Sequence, residues 1–389
     1  MSLMTTPREI QVIIFGHLSV PALLKVSRTC HQLEEVAHDP ALWKKLTLTY
    51  EKVKNKNEAC RNLVSRCSRL REIFITGVVK VISSDEIMAV VMKAKDTLTS
   101  INISPSFPGL SNSSIERIGN MIQLTHLAVG GGNLEPEGVK AIACLTELKS
   151  LKVPGIHCGN FIVSGDRNQF SPVSSSMSAL VDLFSSLKKL EEVEIRMEKN
   201  YPSDQVLKSL VNNNPNLHHL DIRSENIHNH YPRSHIDDLS SRSLILLADK
   251  CPQLTHIDIG NLTMFSSSSI TNLVTNCPQL KHANFEQTMV DNTALAIMSK
   301  KCPDLEYLNI SNCDRITQEG MESFVYPAYA AKLKYLDIRD DQFPTIIKTS
   351  FFNRLRHDLP NLKIATDYFV FDKEMKDDDS FDTSDSDDD

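Results

Sequence analysis

Residues 244–285 read LILLADKCPQLTHIDIGNLTMFSSSSITNLVTNCPQLKHANF and contain one pattern twice. Each copy begins with apolar residues at positions i, i+3, i+4 and i+7, which is the spacing of one face of an amphipathic helix. A Cys-Pro pair follows, and proline cannot extend that helix. Each copy ends in an alternating segment, LTHIDI from Leu254 and LKHANF from Leu280, which predicts a short β-strand. The unit is therefore a helix, a proline stop and a strand.

The strand pattern L-x-x-[LIVA]-x-[LIVF] recurs along most of the chain. Seven of the nine steps between successive leading leucines span 24–28 residues. This period fits leucine-rich repeats and excludes ankyrin and tetratricopeptide repeats, whose periods are about 33–34 residues. We predict an α/β leucine-rich-repeat horseshoe solenoid with parallel strands on the concave face and helices outside. The Cys-Pro stops resemble the cysteine-containing class of these repeats. The leading residues are Leu70, Leu98, Leu124, Leu148, Leu190, Leu217, Leu254, Leu280, Leu305 and Leu333.

The ends of the array and two long steps depart from the regular repeat. Trp43, Leu46 and Leu48 predict an entry strand, and Leu362 with Ile364 predicts a degenerate closing strand, as expected for terminal repeats that cap an exposed core. The long steps predict insertions at residues 156–177 and 224–240. Insertions in such arrays form loops on one face, often the binding face, although a tolerated surface loop is equally compatible with the sequence.

The residues before the first repeat follow another pattern, PREIQVIIFGHL from Pro7, LLKVSRTC from Leu23 and DPALWKKL from Asp39. It predicts three short helices, opened by Pro7, by Pro21 and near His31. The pattern resembles an F-box, with Thr6 in place of the usual leucine and no aromatic residue near Gln32. The matching positions are Pro7, Glu9, Ile10, Ile14, Phe15, Leu18, Leu23, Leu24, Val26, Cys30, Asp39, Leu42, Trp43 and Leu46.

The resemblance implies that the two parts of the chain bind different proteins. An F-box docks onto a Skp-type adaptor and through it a cullin–RING ubiquitin ligase, while the repeats hold a protein substrate and perform no catalysis. A unit of about forty residues has too small a core to cover all its aliphatic side chains, so we expect an exposed apolar patch. Trp43 is expected at the joint with the solenoid. The expected adaptor-binding residues are Pro7, Ile10, Ile14, Leu18, Leu23, Leu24 and Val26.

A substrate is expected to bind the concave face of the later repeats. The third and fifth positions of each strand motif point away from the core, because side chains alternate along a strand. Neighbouring unlike charges, such as Asp221 with Arg223 and Asp337 with Arg339, favour a mixed-charge partner over a simply basic one. The expected substrate-binding residues are His219, Asp221, Arg223, His256, Asp258, His282, Tyr307, Tyr335, Asp337 and Arg339.

Composition narrows the remaining possibilities. The net charge is −7, but residues 372–389 alone carry −8, so the rest of the chain carries +1 and does not favour nucleic-acid binding. The sequence shows neither a signal peptide nor an apolar run long enough for a membrane span. Nine dispersed cysteines indicate reduced thiols, and hence a cytoplasmic or nuclear protein. We predict an F-box at 5–48, a solenoid at 49–368 and a disordered acidic tail at 369–389.

No cofactor or metal is expected. Cys251, Cys277 and Cys302 each close a helix face, so they are expected as buried packing thiols, and the histidines within 228–235 lack zinc-ligand spacing. The sequence contains no phosphate-binding loop or hydrolase motif. We therefore predict that the protein is a substrate-recognition subunit of a ubiquitin ligase. An F-box protein with a non-degradative scaffold role remains open, as does a leucine-rich-repeat GTPase activator or histone-binding protein with an acidic tail.

Overall fold

The sheet that the repeat predicts is present. The computed structural model describes residues 3–49, 69–76, 84–103, 110–130, 134–156, 173–198, 202–225, 239–325, 332–339 and 349–365. In these ranges the strands form one open parallel sheet in chain order, with β8 pairing with β6 beside that path. The strands are β1 (Lys45–Thr49), β2 (Glu72–Thr76), β3 (Ser100–Ile103), β4 (His126–Val129), β5 (Ser150–Ile156), β6 (Glu192–Glu198), β7 (His219–Asp221), β8 (Ser224–Glu225), β9 (His256–Asp258), β10 (His282–Asn284), β11 (Tyr307–Asn309), β12 (Tyr335–Asp337) and β13 (Lys363–Ala365).

Three short helices precede the sheet, and the later helices connect its strands; those between residues 112 and 324 pack against their neighbours in chain order. This is the architecture of a leucine-rich-repeat solenoid, as predicted. None of the helices in the described ranges combines the length and the apolar character needed to cross a bilayer. The helices are α1 (Arg8–Phe15), α2 (Val20–Val26), α3 (His31–Ala37), α4 (Ser84–Lys93), α5 (Asn112–Ile118), α6 (Pro136–Ala143), α7 (Val173–Ser186), α8 (Asp204–Asn213), α9 (Ser241–Lys250), α10 (Ser267–Asn276), α11 (Asn292–Lys301), α12 (Gln318–Phe324) and α13 (Thr349–Asp358).

The core lies between the sheet and the helices and runs the length of the array. The fourth motif positions of neighbouring strands pair in register, for example Leu220 with Ile257 and Leu308 with Leu336, and all are buried. The apolar faces of α9 and α10 are buried against them. Each repeat therefore completes its core only when the next repeat is stacked on it.

The helix boundaries follow from the caps that the sequence supplies. Side chains of Ser203 and Asp291 accept hydrogen bonds from backbone N–H groups in the first turns of α8 and α11. The helices α9, α10 and α11 end at Cys251, Cys277 and Cys302, whose backbone angles are nearly identical. The repeated sequence pattern thus produces a repeated backbone turn.

The three cysteines that precede the prolines are buried, as predicted for packing thiols. The Cys277 thiol donates to the carbonyl oxygen of Cys251 at 3.7 Å, and the Cys302 thiol donates to that of Cys277 at 3.8 Å. Burial raises the pKa of Cys251 to about 11 and, with neighbouring charges, that of Cys277 to about 12. These thiols are therefore protonated hydrogen-bond donors that link successive repeats.

The predicted terminal strands are confirmed as β1 and β13. The flanks of both insertions are structured, which corrects the predicted loop boundaries. Ile156 ends β5 and Val173 begins α7, while Ser224 and Glu225 form β8 and Ser240 caps α9. The reason is that pairing with β6 and helix capping satisfy the backbone groups at these positions. Residues 157–172, 226–238 and the acidic tail at 369–389 lie outside the described residues.

Candidate functional site

Five planar side chains on consecutive strands form a continuous stack on the face of the sheet that the helices leave uncovered. Strands β7, β9, β10, β11 and β12 pair in register through these residues. The ring centroids are separated by 5.1, 5.6, 4.0 and 5.0 Å in chain order, with interplanar angles of 26°, 19°, 8° and 6°. We call this stack the ring ladder: His219, His256, His282, Tyr307 and Tyr335.

The ring ladder presents edges rather than faces to a partner, because each interior ring covers the faces of its neighbours. Some edge atoms already have partners within the chain. The Nδ1 atom of His256 lies 2.8 Å from the Thr255 hydroxyl, and the Tyr335 hydroxyl donates to Asp337 at 3.4 Å. Apart from Nε2 of His219, which lies 3.3 Å from Glu194, the remaining imidazole nitrogens and the Tyr307 hydroxyl offer a row of hydrogen-bonding atoms on half-buried side chains.

The side chains at the fifth motif position, beside the ring ladder, are less exposed than predicted. These residues are Asp221, Asp258, Asn284, Asn309 and Asp337. These side chains were expected on display at the fifth motif position, but Asp337 is only 1% exposed and Asp221 and Asp258 are also buried. Each carboxylate accepts the backbone N–H group two residues further on, at 3.1 Å from Gly260 and 3.3 Å from Arg339. Asp and Asn favour such local turns, so these side chains hold the chain where each strand ends.

The two arginines of the predicted site, Arg223 and Arg339, are bound to these buried aspartates, as is Arg196, which was not in the predicted set. Arg196 lies 2.8 Å from Asp221, and the guanidinium groups of Arg223 and Arg339 lie 3.2 and 2.7 Å from Asp258 and Asp337. A carboxylate buried without a cation would destabilise the folded chain. The first role of these ion pairs is therefore to compensate the charges of the buried aspartates. The expectation that adjacent unlike charges favour a mixed-charge partner is therefore wrong in its basis, because these charges neutralise each other inside the chain.

A concavity of about 300 Å³ lies along the first half of the ring ladder. At its start, Glu194 receives a 2.6 Å hydrogen bond from Lys152 and lies 3.3 Å from Nε2 of His219. Burial alone would raise the pKa of Glu194, but the hydrogen bonds from His219 and Lys152 outweigh it and lower the pKa to about 2. Glu194 is therefore a fixed negative charge. The concavity is lined by Glu194, Arg196, His219, Leu220, Asp221, Arg223, His256, Ile257, Asp258, His282, Asn284 and Tyr307.

The pKa values of the central histidines are lowered, whereas the pKa of Asp258 beside them is raised. Burial and the charges of His256 and His219 lower the pKa of His282 to about 4, and burial is also the main cause of the lowered pKa of His256. Burial and the negative charge of Asp221 raise the pKa of Asp258 to about 6. At neutral pH the central rings are therefore uncharged, and each can both donate and accept a hydrogen bond.

We expect the stability of the chain to depend on pH through His282. Its pKa is about 4 in the folded chain against 6.5 in the reference state, so between these values the unfolded chain binds more protons. The contribution of His282 to the stability of the folded state should therefore fall by about 1–2 kcal/mol as pH falls from 7 to 5, allowing for partial solvent screening. The raised pKa of Asp258 acts in the opposite direction below pH 6.

A comparison with His282→Phe isolates this effect, because the variant keeps a stacking ring and removes the titrating group. Asp258 is present in both proteins, so its contribution cancels in the difference. The measurement is urea unfolding of both proteins at pH 7 and pH 5. Equal losses of stability in the two proteins would show that His282 does not resist protonation.

The second candidate surface lies on α1. Ile10, Ile13 and Ile14 are 45%, 61% and 42% exposed, although all are large aliphatic side chains. The small core behind them consists of Phe15, Leu23, Val36 and Ala37. An exposed cluster of this kind is a candidate protein-interaction site. Ile13 is the most exposed of the three and was missing from the predicted adaptor-binding set, although the i, i+3, i+4 spacing of 10, 13 and 14 carries the signal.

The structure divides the predicted adaptor-binding residues. Pro7, Ile10 and Ile14 are exposed, as a docking surface requires. Leu23 is 2% exposed and belongs to the core, which corrects its assignment to the surface. Its neighbour Leu24 is half-buried and packs against the solenoid core. The remaining two are half-buried and pack against the core of the three-helix unit, namely Leu18 and Val26.

Trp43 lies at the joint between the three-helix unit and the solenoid, as predicted. Its side chain is fully buried in the solenoid core, while its indole N–H donates to the carbonyl oxygen of Ala37, the last residue of α3, at 2.8 Å. Leu42 packs against both cores. The two parts of the chain are therefore joined by packing as well as by the backbone.

Comparison with protein families agrees with both parts of the structure. A model described as F-box-like matches residues 7–49, which contain α1, α2, α3 and Trp43. A model described as leucine-rich repeat matches residues 122–143 and 301–325. The chain is an F-box and leucine-rich-repeat protein. Adaptor families of this build are generally non-catalytic.

One solved structure shares the fold of this F-box and leucine-rich-repeat protein, and a second has a lower TM-score. A chain of the crystal structure of the Rad7 and Elc1 complex in yeast is 16% identical with a TM-score of 0.61, covering 94% of this chain and 91% of that chain. The leucine-rich repeat-containing protein LegL7 from Legionella pneumophila is 12% identical with a TM-score of 0.36, covering 83% and 91%. No curated protein is significantly similar in sequence.

Proposed function

We propose that this F-box and leucine-rich-repeat protein is the substrate-recognition subunit of a Skp–cullin–F-box-type ubiquitin ligase. In this proposal α1 binds a Skp-type adaptor, the adaptor links the chain to a cullin–RING ligase, and the ring ladder side of the solenoid binds a protein target. The observation that carries the proposal is the exposed isoleucine cluster on α1 of a unit that matches an F-box-like model. By analogy with the Rad7 and Elc1 complex, we expect the chain to work with a second protein bound.

The packed joint at Trp43 supports the same mechanism. A ligase of this type works by proximity, so a bound target must be held at a defined position relative to the adaptor. The Trp43 side chain and Leu42 pack the F-box against the solenoid core. The chain then supplies binding and orientation, and the transfer chemistry belongs to other subunits.

The double variant Ile10→Asp/Ile14→Asp tests the adaptor surface. Each isoleucine buried in an interface contributes about 1.5–3 kcal/mol, and a buried aspartate adds a desolvation cost, so we expect at least about a 100-fold loss of affinity. The measurement is co-purification and titration calorimetry with a Skp-type adaptor. A matched control is Ile122→Asp, since Ile122 is 65% exposed and lies within the solenoid.

Two results would contradict the proposal. Full adaptor binding by the double variant would show that α1 is not part of the interface. Loss of binding by the Ile122 control would show that the effect is not local to α1. Circular dichroism must show intact helices in all variants. Leu23→Asp is unsuitable here, because Leu23 belongs to the core and its replacement would unfold the F-box. A scaffold role without degradation predicts the same binding but no ubiquitination of the target.

A further inference from the structure

The ring ladder has a repeat distance that discriminates between possible ligands. Three of its four centroid spacings, 5.1, 5.6 and 5.0 Å, lie within about 0.5 Å of the 5.4 Å pitch of an α-helix, and the fourth, 4.0 Å between His282 and Tyr307, is shorter than that pitch. An extended strand lying across the sheet would present a side chain to it every ~6.7 Å and would lose phase by more than 1 Å at each rung. A helix can therefore place one residue per turn against successive rungs.

The charges beside the ring ladder select the kind of helix. Arg196, Arg223 and Arg339 are committed to buried aspartates, so the cations of this face are neutralised. Glu286 follows β10, and its carboxylate receives only a long 3.4 Å hydrogen bond from Asn309. Arg339 interacts electrostatically with Glu286, but its guanidinium is bound to Asp337, and among the described residues no lysine or arginine forms an ion pair with Glu286. This end of the face therefore favours a cation and repels an acidic segment.

The protonation of the rings points in the same direction. Burial and neighbouring positive charges keep the pKa of His256 and that of His282 below their ordinary value, so these imidazoles are neutral at physiological pH. Neutral rings carry no positive charge that would attract carboxylates or phosphates over uncharged groups. They pair instead with amide and hydroxyl side chains, which also donate and accept hydrogen bonds.

We propose that the occupant of the ring ladder is an α-helix of the partner protein, lying across the strands, with amide, hydroxyl or basic side chains at intervals of three or four residues and a lysine or arginine next to Glu286. This assignment rests on the proposed function, because it names what the target presents to the same face. A helix of about fourteen residues would span the five rungs. The mode is that of a helix seated in a groove.

Photo-cross-linking tests the geometry directly. A photo-cross-linking amino acid is placed at position 256, 282 or 307 of the full chain, expressed with its adaptor, and the attached residue of the captured partner is mapped by mass spectrometry. The expected result is a single partner segment whose attached residues are separated by three or four positions per rung. A matched control places the same group at position 245, an exposed isoleucine on the outer helix α9.

The outcomes separate this inference from the proposed function. Attached residues two positions apart, or scattered over separate segments, would overturn the helical occupant and leave the substrate-binding face intact. Absence of any cross-linked protein from the three ladder positions would overturn both. Capture of a partner protein does not by itself support the helical occupant, because only the spacing of the attached residues distinguishes a helix from an extended segment.

Reversal of one charge tests the predicted basic residue of the helix. With the captured partner, Glu286→Lys should weaken binding at least about fivefold, since it replaces an attraction by a repulsion. The control is Glu116→Lys, which changes an exposed carboxylate on the outer helix α5 and should leave the affinity unchanged. Unchanged affinity in Glu286→Lys would overturn the assignment of a cation to this position.

Discussion

Replacing Trp43 by alanine should destabilise the junction between the F-box and the solenoid by about 3–5 kcal/mol. Trp43 is the only tryptophan of the chain and one of its largest fully buried side chains. Its removal leaves a cavity in the solenoid core beside β1 and also removes the hydrogen bond to the Ala37 carbonyl oxygen. Few other single substitutions act on both parts of the molecule.

The damage should remain near the amino-terminal end. In a solenoid each repeat contacts only its neighbours, so a defect at the first strand is not transmitted along the array. Amide hydrogen exchange measures this directly. We expect protection to fall in α3 and β1 and to be preserved in β9, β10 and β11. Adaptor affinity should fall with it, because α1 packs on α3.

Trp43→Phe is the matched control. Phenylalanine keeps most of the buried ring but cannot donate to Ala37, so we expect a loss of about 1–2 kcal/mol. Equal exchange in wild type and Trp43→Ala would show that the joint does not depend on this side chain. A loss of protection throughout the solenoid would contradict the local coupling of the repeats.

The fold could be predicted because it rests on periodic burial. Leading residues such as Leu254 and Leu280 recur at the repeat period, and the helix faces keep a fixed phase to them, so one arrangement buries all of them. The strand register followed as well, since a shift by one residue would expose every core position. This is why the ring ladder could be assembled residue by residue from the sequence.

The parts that sequence reasoning missed depend on contacts between side chains of different repeats. Alternation along a strand places Asp221 on the outer face, but only the structure shows that it is buried beneath Arg196 of the preceding repeat and accepts the backbone N–H group of Arg223. The same limit applies to the F-box, where Leu23 and Ile13 are both aliphatic on short helices. Which of them faces the core depends on how the three helices cross, and the helical pattern alone does not fix that.

Replacing Asn214 by alanine should destabilise the solenoid by about 3–5 kcal/mol, the second large effect that we expect. Asn214 occupies the position that Cys251, Cys277 and Cys302 occupy in later repeats, and it is buried. Its Oδ1 atom accepts the backbone N–H group of Leu190 at 2.8 Å. Its Nδ2 atom donates to the carbonyl oxygens of Leu187 and Leu210, both at 3.0 Å.

These three hydrogen bonds explain why this repeat carries an asparagine. In later repeats the leading leucine donates its N–H group to the residue three positions before it, as Leu254 does to Cys251. At Leu190 that N–H group is satisfied by the Asn214 side chain of the following repeat instead. Alanine would leave one buried donor and two buried acceptors without this partner, each at a cost of about 1–3 kcal/mol before relaxation.

Asn214→Cys separates the two functions of the side chain. A thiol can donate to a carbonyl oxygen of the preceding repeat, as Cys277 does, but it accepts hydrogen bonds poorly, so the Leu190 N–H group stays unsatisfied. We therefore expect the stability order wild type, Asn214→Cys, Asn214→Ala in urea unfolding. Asn213→Ala is the neighbouring control, and its half-buried side chain should contribute under about 1 kcal/mol. If Asn214→Cys matched wild type, donation alone would hold this turn, and the acceptor role of Asn214 towards Leu190 would be refuted.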